Sequence, residues 1–131
     1  MKRVEQEKTV TYIIDEENRT VKAVIKNLKW DAVNSIFRIF IKEGIQFCPT
    51  EENVLNSSYS ATAKCSEKDE FDVEKGKLIA RRKAIVKYNK AKVAKMQKVY
   101  DKISKVEKSL KATIDYTTKK YEKFEDELKK Y

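Results

Sequence analysis

The chain has 131 residues, a length that fits one domain plus an extension. Charged residues make up 39%, the hydrophobic set 40%, and the formal net charge is +9, a balance that excludes an obvious disordered polymer. The longest strongly apolar patch, residues 36–41, is interrupted by Arg38 and is far too short to span a bilayer. The start, Met1-Lys2-Arg3-Val4-Glu5-Gln6-Glu7, has no apolar run after its positive charges, so no secretory signal is expected. No membrane association and a cytoplasmic location follow as expectations.

Residue types missing from the chain narrow the chemistry. There is no histidine, which removes the commonest acid/base group at neutral pH and any Ser-His or Cys-His nucleophile pair. Cys48 and Cys65 do not form a Cys-x-x-Cys pair, and structural zinc usually needs four Cys/His ligands. A disulfide between them is disfavoured in a reducing compartment. With only Gly44 and Gly76, no Gly-rich loop can cradle a phosphate. The expectation is a non-enzymatic binding protein with no catalytic residues, no metal and no cofactor.

In chain order, residues 9–14 are β-branched and aromatic, and Asp15-Glu16-Glu17-Asn18 supplies a turn. Residues 20–25 resume with Val21, Ala23 and Ile25 alternating against Thr20, Lys22 and Val24, so the two segments predict an antiparallel hairpin. Residues 30–44 follow as an inserted helix, with Asp31 as its cap and Gly44 at its stop. Val33, Ile36, Phe37, Phe40 and Ile41 are expected on its buried face, although the β-rich composition also admits a strand. Cys48-Pro49 breaks the pattern and residues 50–58 read as a polar loop. Residues 58–65 offer a third strand, with Tyr59, Ala61 and Ala63 on one side. The expected fold is therefore an α+β head over residues 1–72, with about three antiparallel strands and an inserted short helix. A long basic amphipathic helix over residues 73–131 completes it.

That helix has no Gly or Pro after Gly76, and Asp72 can cap its start. Steps of three and four from Ile79 pass through Arg82, Val86, Asn89, Val93, Met96, Tyr100, Ile103, Glu107, Leu110, Ile114, Thr117, Tyr121, Phe124, Leu128 and Tyr131. Twelve of these 16 positions are apolar, a coiled-coil-like stripe sustained over seven heptads. Packing against the head is expected for its first third. Val93, Met96, Tyr100, Ile103, Leu110, Ile114, Tyr121, Phe124 and Leu128 are then the expected self-association residues, in a homodimer or in a hairpin bending at the β-branched stretch 112–118.

Charge divides the chain in two. Residues 1–72 carry 11 basic and 13 acidic side chains, whereas residues 73–131 carry 19 and 8. Lys77, Arg81, Arg82, Lys83, Lys87, Lys90, Lys92, Lys95, Lys98, Lys102 and Lys105 form a run interrupted only by Asp101. A solvated face normally mixes both signs, so an uncompensated row points to a polyanionic partner: a nucleic acid or a nucleic-acid-bound protein. No zinc-finger spacing, RNP-type aromatic sheet or helix-turn-helix is present, so contact would be directed at the phosphate backbone. The rival readings are an architectural or replication accessory protein and a self-assembling coiled-coil scaffold.

Residues 63–84, beginning Ala63-Lys64-Cys65 and running through Asp69, Phe71, Asp72, Gly76, Ile79, Ala80, Lys83 and Ala84, carry the pattern A-[KR]-C-x-x-x-D-x-F-D-x-x-x-G-x-x-[IL]-A-x-x-[RK]-A. This stretch resembles one in small proteins of Firmicutes phages and mobile elements that look like double-stranded-RNA-binding-type α+β domains. The resemblance implies that Asp69 makes a turn, Phe71 a buried anchor, Asp72 a helix cap and Gly76 a close approach to the sheet. It further implies a phage accessory protein acting in the host cytoplasm, of the kind that disables a host nuclease complex as anti-CRISPR proteins do.

Overall fold

The computed structural model describes residues 2–131. Its elements are strands β1 (Lys2–Glu7), β2 (Val10–Asp15) and β3 (Thr20–Ile25), helix α1 (Asp31–Lys42), a 3-10 turn (Glu51–Asn53), strand β4 (Tyr59–Lys64) and helix α2 (Val73–Leu128). The strands form one antiparallel sheet in the order β1-β2-β3-β4. The α+β class is as expected, but the sheet has four strands rather than about three. The additional strand, β1, offers Val4 as its one apolar side chain, so no hydrophobic alternation announces it. A two-residue turn with Lys8 at φ 54° joins it to β2, without the Asn or Gly that usually signals such a hairpin.

Alternation along the strands puts Tyr12 and Ile14 of β2, Val21, Ala23 and Ile25 of β3, and Ala61 and Ala63 of β4 on one buried face. The first turns of α2 cover this face through Ala80 and Ala84, and Phe71 and Val73 pack at its edge. Small residues on both sides let the helix approach closely. A Cβ placed on Gly76 would lie 2.7 Å from Val21 Cγ2 and 3.3 Å from its Cβ. Asp72 caps the helix, its Oδ1 accepting the Lys75 amide at 3.2 Å, and the Asp69 amide closes a turn on the Ser66 carbonyl at 3.1 Å.

Helix α1 ends where expected. Gly44 (φ 69°) donates to the Ile41 carbonyl at 3.0 Å and Ile45 to the Phe40 carbonyl at 2.8 Å, a Schellman arrangement whose left-handed residue costs glycine little. Its start and its buried face differ from expectation. Trp30 holds the cap position without a side-chain bond, and Asp31, the first helical residue, turns instead to partners on α2. The buried face is Ala32, Val33 and Ile36, with Phe40 half-buried edge-on to Phe47 at 4.9 Å. Phe37 is 44% exposed and Ile41 is also exposed, because both lie further round the helix than the Val33–Ile36 line.

Helix α2 runs unbroken through residues 112–118, so no hairpin bend occurs there. By spatial proximity the chain divides into two units, one ending at Met96 and the other Gln97–Tyr131. The first unit therefore includes more than residues 1–72, since its core is closed by α2 itself.

The close approach at Gly76 gives a first prediction. Gly76→Ala should destabilise the fold by about 1–3 kcal/mol through overpacking on Val21, despite the better helix propensity of alanine. In a Val21→Ala background the same change should become neutral or stabilising. Chemical denaturation of the four chains of this cycle measures the coupling.

Candidate nucleic-acid interface

Lys77, first in the expected basic row, is not available to a partner. It is 6% exposed, and its ammonium lies 2.5 Å from Glu5 Oε2, 3.0 Å from Glu7 Oε1 and 3.4 Å from Glu74 Oε1. The strand register puts Arg3, Glu5 and Glu7 on the helix-facing side of β1, opposite Ile14, Tyr12 and Val10. This charged strand thus meets α2 through ions instead of apolar side chains. Hydrogen bonds that the Lys77 ammonium donates to Glu5 and Glu7 hold it protonated well above the ordinary lysine range, so it cannot serve as a base near neutral pH.

Lys92 is also committed within the fold. Its Nζ lies 2.8 Å from Asp31 Oδ2, an oxygen that also accepts the Tyr88 hydroxyl. Tyr88 stands beside Tyr59 of β4, with ring centroids 6.1 Å apart, so this one side chain ties α1, α2 and the sheet together. Bonds from Lys92 and then Tyr88 hold the Asp31 carboxyl below the usual carboxylate range. The same Asp31 bond raises Lys92, while burial is the larger cause raising Tyr88.

The remaining cations of the first unit stay outside. Arg81, Arg82, Lys83, Lys87 and Lys90 are exposed and Lys95 is half-buried. Arg82, Lys83 and Lys87 line a groove of about 490 Å³ together with Ile79, Val86, Ala61 and Thr62. One wall of this groove is the open edge of β4. The Cys65 amide bonds to the Arg19 carbonyl at 2.9 Å, so the alternation of the ladder turns the main-chain groups of Ser60 and Thr62 away from β3. Lys87 Nζ donates to the Ser60 carbonyl at 2.8 Å, which sets its ammonium at the groove mouth. Arg81 lies elsewhere, in a concavity of about 580 Å³ shared with Glu7, Glu74 and Lys77. Lys98, Lys102 and Lys105 are exposed residues of the second unit. From residue 75 to residue 100 the sequence holds ten Lys or Arg and no Asp or Glu.

The expected self-association residues are almost all exposed. Val93 is 62% exposed, Tyr100 65% and Leu128 69%, and Met96 is half-buried. The first third of the stripe does not enter the core of the head. Ile79 and Val86 only flank the β4 edge and stay exposed, as does Val93, because the sheet takes the face bearing Gly76, Ala80 and Ala84. The participation of Asp31, Glu5, Glu7, Tyr88 and the β4 edge has no local sequence signal, because each acts through a partner at least 27 residues away.

Both thiols are free: Cys48 is exposed, and Cys65 Sγ accepts from the Arg19 guanidinium at 3.3 Å. Among the described residues no group of three or more Cys, Asp or Glu side chains is placed to hold a metal ion, and no helix is long and apolar enough to cross a membrane.

Each ion cluster contributes to both the acid and the alkaline limb of stability. The folded Asp31 carboxyl is depressed, so its contribution is present above the unfolded carboxylate range and lost as pH falls through the folded value. The folded Lys77 is raised, so its contribution is present below the ordinary lysine range and lost as pH rises through the folded value. Asp31→Asn should cost about 1 kcal/mol at neutral pH and shrink the acid limb, together with the part of the alkaline limb that its partner Lys92 supplies. Lys77→Met should shrink the rest of the alkaline limb, together with the part of the acid limb that Glu5 supplies. Thermal melts across pH check both.

No protein-family pattern, no curated protein and no solved structure matches this chain.

Proposed function

We propose that the chain is a non-enzymatic protein that binds a nucleic acid, alone or within a nucleoprotein complex, through the basic side of α2. The observation that carries this is the groove between α2 and the β4 edge. Its rim is Arg82, Lys83 and Lys87, with Lys90 one turn beyond Lys87, and no acidic side chain of α2 intervenes. Neighbouring cations three and four residues apart repel each other, a cost that phosphates relieve. Thr62 adds an outward main-chain N–H, a donor that suits a phosphate oxygen and carries no base preference.

Recognition of this kind is electrostatic and independent of base sequence. The sequence resemblance to phage and mobile-element proteins supports a narrower reading, in which the surface occupies or masks the nucleic-acid channel of a host nuclease complex. That reading needs no chemistry from the chain.

Replacing Arg82, Lys83, Lys87 and Lys90 with Gln should weaken binding to duplex DNA and duplex RNA while leaving the helix folded, since Gln has similar helix propensity. On duplex DNA the slope of log affinity against log salt should flatten by up to about 3.6, at about 0.9 per phosphate contact. Salt titrations by fluorescence anisotropy on both chains measure it. Unchanged affinity and slope on every nucleic acid would sink the proposal. If nuclease complexes are inhibited equally by both chains, the narrower reading falls as well.

A further inference from the structure

We infer that residues 97–127 of α2 pair with the same segment of a second copy, antiparallel, in one register. The starting observation is an apolar stripe that nothing in the second unit covers. Tyr100, Ile103, Leu110, Ile114, Tyr121 and Phe124 are between 45% and 65% exposed, on a segment too polar elsewhere to have a core of its own. They recur with the three-four spacing that fills the seam of a coiled coil, over about four heptads.

Charge selects the direction. Residues 97–109 carry Lys98, Lys102, Lys105 and Lys108 against Asp101 and Glu107, a net of +2. Residues 115–127 carry Lys119, Lys120 and Lys123 against Asp115, Glu122, Glu125, Asp126 and Glu127, a net of −2. A parallel pair would set like against like and face Glu107 with its own copy inside the seam, an apposition of two buried carboxylates. An antiparallel pair sets +2 against −2 at both ends.

The two polar interruptions select the register. With Leu110 opposite Ile114 of the second copy, Tyr100 meets Phe124, Ile103 meets Tyr121, and Glu107 meets Thr117. Every remaining layer is then apolar, and the two polar positions share their layer, where the threonine hydroxyl can donate to the carboxylate. A slip of one heptad either way would set Glu107 against Leu110 or Phe124 and Thr117 against Tyr100 or Ile114.

Site-directed crosslinking tests direction and register together. In the full chain carrying Cys48→Ser and Cys65→Ser, Tyr100→Cys and Phe124→Cys variants are mixed and equilibrated in a thiol redox buffer. The expected product is the mixed 100–124 disulfide, in at least about tenfold excess over either like pair, a ratio equivalent to about 1.4 kcal/mol. Sedimentation of the parent should give a dimer that persists in about 1 M salt, where exposed charge interactions are screened. Leu110→Lys should shift it to monomer, with the near-ultraviolet signal of Trp30 reporting that the first unit stays folded. A predominant 100–100 disulfide would show a parallel pair and overturn the inference. A parent that sediments as monomer at its highest soluble concentration would overturn it equally.

Discussion

The depth at which α2 sits against the sheet governs this molecule. Gly76, Ala80 and Ala84 face Val21, Ala23, Ala61 and Ala63, and even a methyl group at Gly76 would crowd Val21. Close-packed interiors respond to single methyl groups, so this seam fixes the rotation of the helix about its own axis. Everything else on the helix surface follows from that rotation. Lys77 is directed at the glutamates of β1, Tyr88 and Lys92 at Asp31, and Arg82, Lys83 and Lys87 at the open edge of β4.

The same rotation separates two kinds of surface. A helix that docked through its largest apolar side chains would have hidden Ile79 and Val86 and spent the stripe on the head. Docking through alanine and glycine leaves the stripe in solvent, where single exposed apolar residues are ordinary but a continuous row is not. One helix thus offers cations along one line and apolar side chains along another. The two lines favour partners of different chemistry, so binding to one can be removed by substitutions that spare the other.

Local signals made part of this legible. Asp72 as a cap, Gly44 as a stop, the turn at residues 15–18 and the alternation of β3 were readable because each depends on neighbours within a few residues. Strand β1 was not, because its inward residues are Arg3, Glu5 and Glu7, and the two glutamates are matched to one lysine 70 positions from Glu7. The basic row was legible as composition but not as a site: Lys77 and Lys92 look identical to Lys83 and Lys90 until the fold assigns their partners. The face that α2 buries was misjudged for a related reason. Periodicity weights large side chains, and here small ones make the contact.

Lys87 also bears on solubility. An exposed edge strand presents unpaired main-chain groups to any other extended chain, and a lysine close to the edge is a common natural safeguard against such pairing. By engaging the Ser60 carbonyl, Lys87 occupies one of the positions at which a foreign strand would begin to add to β4. Chains that lose this lysine would then be more prone to ordered aggregation while their folded-state stability barely changes. Selection on colloidal behaviour could therefore preserve a cation here whether or not any polyanion is bound.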